Sequence, residues 1–207
     1  MGETEDGCRC VDRTRQLVRF HPDRQNPASP GWLHLLEVVE EAAADGRALF
    51  RPLRELSPVE QHQIITLPPT IAKLTAVEVL DLRGSNLVRV PPEIGAMTSL
   101  RRFDPHTSHR LHWFPYELTR CRNLAESRVS ADALYAGHVF PVLVPPTTDL
   151  SRLDPGTHGT EHVRACSVCD GPVTELHQRW VVRHVAEALV PLLANTCSPI
   201  CAAKTSP

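Results

Sequence analysis

The chain has 207 residues, of which 42% are hydrophobic, and its formal net charge is −2. This length allows one core with small appendages, and the near-neutral charge argues against a nucleic acid or anionic membrane held by bulk charge. The N-terminus lacks the apolar stretch of a secretory signal, and no apolar run reaches the roughly 18 residues of a membrane span. We therefore expect a cytoplasmic protein. Its scarce lysine and abundant arginine, alanine and proline are typical of a GC-rich bacterial coding sequence.

Residues 1–28 are polar and rich in turn-forming residues, which predicts an irregular or disordered tail. Cys8 and Cys10 lie in this tail with one residue between them. Because metal-ligand pairs usually have two or more intervening residues, we interpret both as exposed thiols.

A helical cap is predicted over residues 29–62, beginning with an amphipathic helix from Trp32 to Phe50. Ser29 and Pro30 are a typical helix start, and Gly46 is expected to end or weaken the helix. The segment ELSPVEQHQIITLPP, residues 55–69, predicts a second short helix or turn. One apolar stripe is formed by Trp32, Leu35, Leu36, Val39, Ala42 and Ala43.

A motif recurs three times within residues 63–135. LPPTIAKLTAV, VPPEIGAMTSL and FPYELTRCRNL begin at Leu67, Val90 and Phe114, at offsets of 23 and 24 residues. The intervening segment VEVLDLRGSNLVRVP has the apolar spacing of a leucine-rich repeat. The predicted fold class is therefore α/β: a short leucine-rich-repeat solenoid with parallel strands on its concave face and a helical N-terminal cap covering its exposed end.

The third repeat departs from the pattern. Pro105 replaces a strand leucine and cannot donate a ladder hydrogen bond, so we expect a bulged or broken strand over residues 104–109. Ser85 and Ser108 occupy the position where such repeats usually carry an asparagine. Cys121 falls in an apolar position of the motif, which predicts a core residue rather than a nucleophile.

Polar residues fall on or beside the predicted concave strand surface, where partners of repeat proteins usually dock. Three arginines there could pair with acidic groups of an unidentified partner protein, or equally with acidic residues on adjacent strands, and both alternatives stay open. The chain is expected to be a monomer. The candidate partner-binding residues are Glu78, Asp81, Arg83, Arg101, Arg102, Asp104, His106, Glu126 and Arg128.

Two cysteine pairs lie in a predicted module at residues 165–207, after a proline-rich exit and linker at 136–164. Cys166 and Cys169 form a Cys-x-x-Cys sequence followed by a glycine, and Cys197 and Cys201 follow later. Two such pairs match a four-thiolate structural zinc site, which leaves no open position for water. The alternatives are loose buried thiols or a thioredoxin-like redox pair, but the redox pair needs a βαβ unit that the sequence does not indicate.

The sequence between the pairs predicts strand, turn and strand, as in a zinc ribbon or a treble-clef-like hairpin. A helix over Val182 to Leu189 is a competing interpretation, since Ala186, Glu187 and Ala188 favour helix. His177 and His184 are alternative ligands, although both are expected to be surface histidines.

Several runs resemble a family of small bacterial leucine-rich-repeat proteins. They are EEAAADGR, TLPPTIAKL, GSNLVRVPPEIG, MTSLRRF, RLHWFPYELTRCRNL, SRVS and the terminal CSVC and CSPIC pair. The resemblance covers about four-fifths of the chain, from about residue 30 to its end. It implies a curved repeat domain with a C-terminal cysteine module, and it offers no established catalytic residue from which an activity could be inferred.

Three functions are compatible with these patterns. A protein-interaction module needs only a rigid exposed face, and we expect this function and no enzyme. An effector-type enzyme with a reactive cysteine would need a large helical catalytic domain after the repeats, for which too few residues follow. A nucleic-acid-binding zinc module would need clustered basic and aromatic residues, and here they are Arg164, Arg179, Trp180, Arg183 and Lys204.

Overall fold

The structure is a computed structural model. It describes residues 21, 23–111, 113–129 and 163–205, together with three short strands outside these ranges. Two of these strands, β1 (Val11–Asp12) and β2 (Leu17–Val18), pair antiparallel. The third is β8 (Thr148–Asp149). Among the described residues, no helix has the length and apolar character needed to cross a membrane.

Helix α1 (Pro30–Asp45) begins where the sequence predicted and ends five residues earlier. Ser29 is its extended N-cap, and Gly46 adopts a left-handed conformation with φ of 65°, which stops the helix. The residues after Gly46 form strand β3 (Leu49–Phe50) instead of a last helical turn. Four apolar side chains of α1 are buried: Leu35, Val38, Val39 and Ala42.

Two short helices follow, α2 (Pro52–Glu55) and α3 (Pro58–His62). The start of α3 is a capping box in which Ser57 Oγ accepts from the Glu60 amide and the Glu60 carboxylate accepts from the Ser57 amide. Because α3 packs on α1 at Gly31, a Cβ at that position would lie 2.6 Å from the Glu60 carbonyl oxygen.

Replacing Gly31 with alanine is therefore expected to destabilise the protein by about 1–3 kcal/mol, since α1 and α3 must separate to admit the methyl group. Chemical denaturation measures this change in the free energy of unfolding. Gly46→Ala is a useful comparison, because a Cβ at that position would have no atom within 4 Å and only backbone strain is added. A Gly31→Ala protein as stable as the wild type would contradict the close packing of α1 and α3.

A parallel sheet follows the order β3, β4 (Val79–Asp81), β5 (Arg102–Asp104) and β7 (Glu126–Ser127). Phe50, Leu80 and Phe103 are aligned in register across three strands, and all are fully buried on the core side. The residues that alternate with these along each strand lie on the other side of the sheet, which we call the open face.

Three 3-10 helices lie side by side against the core: η1 (Pro69–Lys73), η2 (Pro92–Ala96) and η3 (Tyr116–Arg120). Each begins directly after an extended proline, and these prolines occupy the same position of the recurring motif. The apolar positions of the motif are buried, including Ile71, Ile94 and Leu118. The mixed α/β fold and its parallel sheet thus agree with the prediction.

Cys121 is 4% exposed, and its thiol lies 3.3 Å from the Ile94 carbonyl oxygen, to which it donates. Burial raises the pKa of this thiol to about 11. The prediction of a core residue rather than a nucleophile is consistent with this environment.

In the native protein, Cys121 is expected to resist alkylation by iodoacetamide, and Cys121→Ala is expected to cost about 1–2 kcal/mol of stability. Mass spectrometry of alkylated protein measures the first effect, with urea-unfolded protein as the control. Fast native-state alkylation at Cys121 would contradict a buried thiol of raised pKa.

Strand β5 ends at Asp104, as expected from Pro105, and Thr107 then adopts a φ of 61°.

The two serines at the asparagine position bridge adjacent turns. The Ser85 and Ser108 hydroxyls lie 2.7 Å apart, and Ser108 also donates to the Leu82 carbonyl oxygen at 3.0 Å. Buried hydroxyls therefore bind the turn backbone in place of an asparagine side chain.

The C-terminal part forms a second sheet. Strands β9 (Glu175–Val185) and β10 (Ala188–Thr196) make an antiparallel hairpin closed by a two-residue turn. The alternative helix over Val182–Leu189 is therefore wrong, because the valine-rich segment pairs along its whole length and Ala186 takes a turn conformation with φ of 53°. Helix α4 (Pro199–Ala203) follows the hairpin.

Two partners extend this hairpin. Strand β6 (Phe114–Pro115) pairs parallel with β10, and β8 pairs antiparallel with β9, so the order is β6–β10–β9–β8. Strand β8 falls inside the predicted linker 136–164, most of which lies outside the described residues. Val185, Val190 and Leu192 of the hairpin belong to the same apolar core as the three motif segments.

The predicted tail also contributes contacts, although its polar composition indicated an irregular segment. Gln25 Oε1 accepts from the Ile65 amide at 2.8 Å, and Gln25 Nε2 donates to the Gln63 carbonyl oxygen at 2.9 Å. Arg89 donates to the carbonyl oxygens of His21 and Asp23. The last residues of the tail are thus attached to the fold by specific hydrogen bonds. Cys8 and Cys10 lie outside the described residues.

Candidate functional site

Four cysteines converge at the end of the hairpin. The Sγ atoms of Cys166, Cys169, Cys197 and Cys201 all lie within 4.8 Å of one another. The Cys169–Cys197 distance is 3.6 Å and the Cys197–Cys201 distance is 3.8 Å. These sulfurs are too far apart for a disulfide, and the described cysteines are free thiols. A tetrahedral zinc site with Zn–S bonds of about 2.3 Å has sulfurs about 3.8 Å apart, so these residues could hold a metal ion.

The first pair lies on a tight turn. The Cys166 amide donates to the Gly171 carbonyl oxygen at 2.8 Å, and the Asp170 amide donates to the Cys166 carbonyl oxygen at 3.0 Å. Asp170 takes the left-handed backbone conformation in this turn, with φ of 58°. Aspartate is among the residues that tolerate this conformation best. A Cβ on Gly171 would contact Cys169 Sγ at 3.4 Å, so this glycine provides space beside the sulfur.

The second pair lies at the start of α4. The N-cap Ser198 accepts from the Cys201 amide through its hydroxyl at 3.2 Å, which fixes the first helical turn between the two cysteines. Thr196 is fully buried and donates to the His177 carbonyl oxygen at 2.8 Å, so the end of β10 is also held. The cysteine turn, the hairpin and the helix together bring the four sulfurs to one point.

The thiols of the cluster differ in their ionisation. Burial opposes ionisation of Cys166, but backbone amides of Cys169, Val168 and Cys197 donate to its sulfur, and its pKa falls to about 7. The neighbouring Cys169 and Cys166 sulfurs raise the pKa of the Cys197 thiol to about 12. A Cys166 thiolate near neutral pH beside a protonated Cys197 thiol is a suitable starting state for binding a divalent cation, which must displace the Cys197 proton.

His177 and His184, the alternative ligands, lie outside this group of sulfurs. His177 is 5% exposed and faces Glu175 at 3.6 Å, whereas His184 is exposed. The predicted surface position is therefore wrong for His177, because β9 buries it in the hairpin.

The cysteine turn packs against the 3-10 helices. Arg120 of η3 donates to the Ser167 carbonyl oxygen at 3.0 Å and to Asp170 Oδ1 at 2.7 Å. Glu117 is 7% exposed beside Ser167, and burial raises the pKa of its carboxyl group despite a hydrogen bond from Ser167. Arg164 reaches Glu93 of η2 at 3.4 Å. Because of these contacts, a change in the order of the cysteine turn on metal binding would also affect the neighbouring 3-10 helices. The sequence indicated none of these contacts.

Two buried carboxylates lie on the open face of the parallel sheet. Asp81 and Asp104 are neighbours in register on β4 and β5, and their side chains are 9% and 2% exposed. Arg83 binds Asp81 through two nitrogens, at 2.9 and 2.7 Å, and these hydrogen bonds, ahead of the cost of burial, lower the pKa of Asp81. Arg51 reaches Asp81 at 3.1 Å, and Arg102 reaches Asp104 at 3.3 Å. The Arg102–Asp104 pair lies within strand β5, so it is not the pairing across adjacent strands that the sequence left open.

The remaining candidates surround this pair. Arg101 lies 3.8 Å from Glu78, and Arg102 also approaches Glu126 at 3.9 Å. His106 and Arg128 are exposed just beyond β5 and β7. Arg51 was not among the predicted binding residues. Leu49 and Phe50, which form strand β3 directly before it, had been assigned to the predicted helix.

Comparison of the chain with models of known protein families gives no match, and comparison with curated proteins finds no similar one.

Proposed function

We propose that this protein is a non-enzymatic interaction module: a short leucine-rich-repeat solenoid whose open, concave face binds a polypeptide, closed by a structural zinc module. The observation that carries the proposal is the open face itself. It combines a rigid parallel sheet with exposed arginines that are fixed over buried carboxylates.

Three features support the solenoid. The proline-started 3-10 helices recur at offsets of 23 and 24 residues, the strands between them are parallel and in register, and the apolar motif positions share one core. Helix α1 packs beside η1 and would cover the N-terminal end of the stack. The resemblance to small bacterial leucine-rich-repeat proteins is consistent with this architecture.

A structural zinc is supported by the donor set and the order of the elements. Four sulfurs at tetrahedral spacing complete a site without an open position for water. The order of cysteine turn, hairpin and helix start is that of a treble-clef-like module. A unit of about 40 residues has little core of its own, so zinc binding would contribute on the order of 10 kcal/mol to its folding.

The alternative functions have less support. Arg179 and Arg183 of the hairpin donate to the carbonyl oxygens of Ala202 and Thr205, so they are engaged in holding α4 and the residues after it. Trp180 packs edge-on against Trp113 with ring centroids 6.2 Å apart. These groups are therefore poorly placed to stack on bases. For a cysteine enzyme, Cys121 has a buried thiol with a raised pKa, which disfavours a nucleophile.

The proposed function is tested by affinity capture from the native cell lysate with the purified protein as bait. We expect a partner that is lost from the triple variant Arg101→Gln/Arg102→Gln/Arg128→Gln and retained by Arg122→Gln, which lies between η3 and β7 and outside the strands of the sheet. Circular dichroism and zinc content confirm that both variants fold. Equal recovery with the triple variant would locate the binding surface elsewhere and overturn the proposal.

A further inference from the structure

We propose that the open face selects an acidic segment of the partner polypeptide, which it binds through guanidinium groups held over the Asp81–Asp104 pair. This inference rests on the proposed function and specifies the chemistry of its partner.

The two carboxylates act as fixed supports rather than as ligands for a partner. Their side chains are 9% and 2% exposed, so a partner cannot reach them without displacing the arginines above them. A buried carboxylate is tolerated only when it is paired and hydrogen-bonded. The main-chain amide of Arg83 donates to Asp81 and that of His106 donates to Asp104, which fixes both carboxylates further.

The arginines above them remain accessible. The side chains of Arg51, Arg83 and Arg102 are 48%, 43% and 33% exposed while their inner nitrogens hold the carboxylates. A guanidinium has five donors, so the outer edges of Arg51 and Arg83 can still bind an anion bidentately, whereas Arg102 is also approached by Glu126. Because the buried carboxylates already restrict these side chains, less conformational entropy is lost on binding.

The charge around the pair favours an anion. Arg51, Arg83, Arg102 and the exposed Arg128 surround the two carboxylates, and together these side chains carry a formal excess of positive charge. The exposed carboxylates Glu78 and Glu126 lie at the other end of the strands, near Arg101 and Arg102. A polypeptide with spaced aspartate or glutamate residues complements this arrangement, whereas a neutral or basic segment does not.

The test uses the full-length protein and a fluorescein-labelled peptide of alternating glycine and glutamate, with the glutamine version as its neutral counterpart. Fluorescence anisotropy is expected to show saturable binding of the acidic peptide that weakens as salt rises, and no binding of the neutral peptide. Arg51→Gln/Arg83→Gln should weaken binding at least about tenfold, because it removes two of the anion-binding groups. Lys73→Gln/Arg122→Gln removes the same charge on the side of the 3-10 helices and should have no effect.

Arg51→Lys/Arg83→Lys provides a second measurement if the glutamine variant does not fold. It keeps the charge but loses the bidentate geometry, so an intermediate loss of affinity is expected. The inference is overturned by equal binding of both peptides, by unchanged affinity in the arginine variants, or by tighter binding of single-stranded oligouridine at the same salt concentration. A partner captured through the open face by a neutral segment would refute the acidic specificity and leave the proposed function intact.

Discussion

Replacing all four cluster cysteines with serine is expected to abolish zinc binding and to unfold the C-terminal hairpin. The four sulfurs lie within 4.8 Å of one another where the cysteine turn meets the start of α4, and serine hydroxyls do not replace thiolates as zinc ligands. Loss of a structural zinc removes on the order of 10 kcal/mol from such a unit, and the contacts of Val185, Val190 and Leu192 with the main core are not expected to offset this loss. Elemental analysis should give one zinc per wild-type chain and none in the variant, and hydrogen exchange should show β9 and β10 unprotected.

The matched control for this experiment is Cys8→Ser/Cys10→Ser, which changes the two cysteines interpreted as exposed tail thiols. It should retain full zinc content and wild-type protection of the hairpin. Acidification is expected to produce the same zinc-free protein with an unfolded hairpin, because protons compete with the metal for the thiolates. If the quadruple serine variant is zinc-free and keeps the wild-type melting temperature, the metal has no structural role.

Replacing Phe114 with alanine is expected to destabilise the whole protein by about 3–5 kcal/mol. Its side chain is fully buried and packs edge-on against Phe103 of the parallel sheet, with ring centroids 5.6 Å apart. Its backbone pairs with Leu192 of β10. Phe114 therefore joins the parallel sheet to the cysteine module, and its loss leaves a cavity between them.

Denaturant unfolding, followed by far-ultraviolet circular dichroism and by the fluorescence of Trp32, Trp113 and Trp180, measures this effect. We expect both signals to change together in the wild type and to separate or shift to lower denaturant in Phe114→Ala. Phe114→Leu keeps most of the buried volume and should cost markedly less. A loss below about 1 kcal/mol for the alanine variant would mean that the two parts do not share a core.

The prolines and apolar positions of the recurring motif predicted the parallel sheet, because each motif segment repeats the same local geometry and buries the same positions. The cysteine cluster was predictable for a similar reason, since short Cys-x-x-Cys and Cys-x-x-x-Cys spacings place two sulfurs on one side of a turn or helix start. The start of helix α1 was predicted, and Gly46 was expected to end or weaken it, but the predicted range ran on to Phe50. Because Gly46 adopts a left-handed conformation and ends the helix, Leu49 and Phe50 pair with β4 instead.

Local sequence thus determined the recurring units, the start of helix α1 and the four-sulfur donor set, because these depend on spacing over a few residues. The tertiary structure decided which distant groups meet. It placed Arg51 over Asp81, brought Arg120 to the cysteine turn and joined β6 to β10 across more than 70 residues of chain. The pairing of β9 with β10 also decided that the segment between the cysteine pairs forms a hairpin and not a helix. Such contacts depend on the packing of elements far apart in the chain, which the spacing of residues within one segment does not specify.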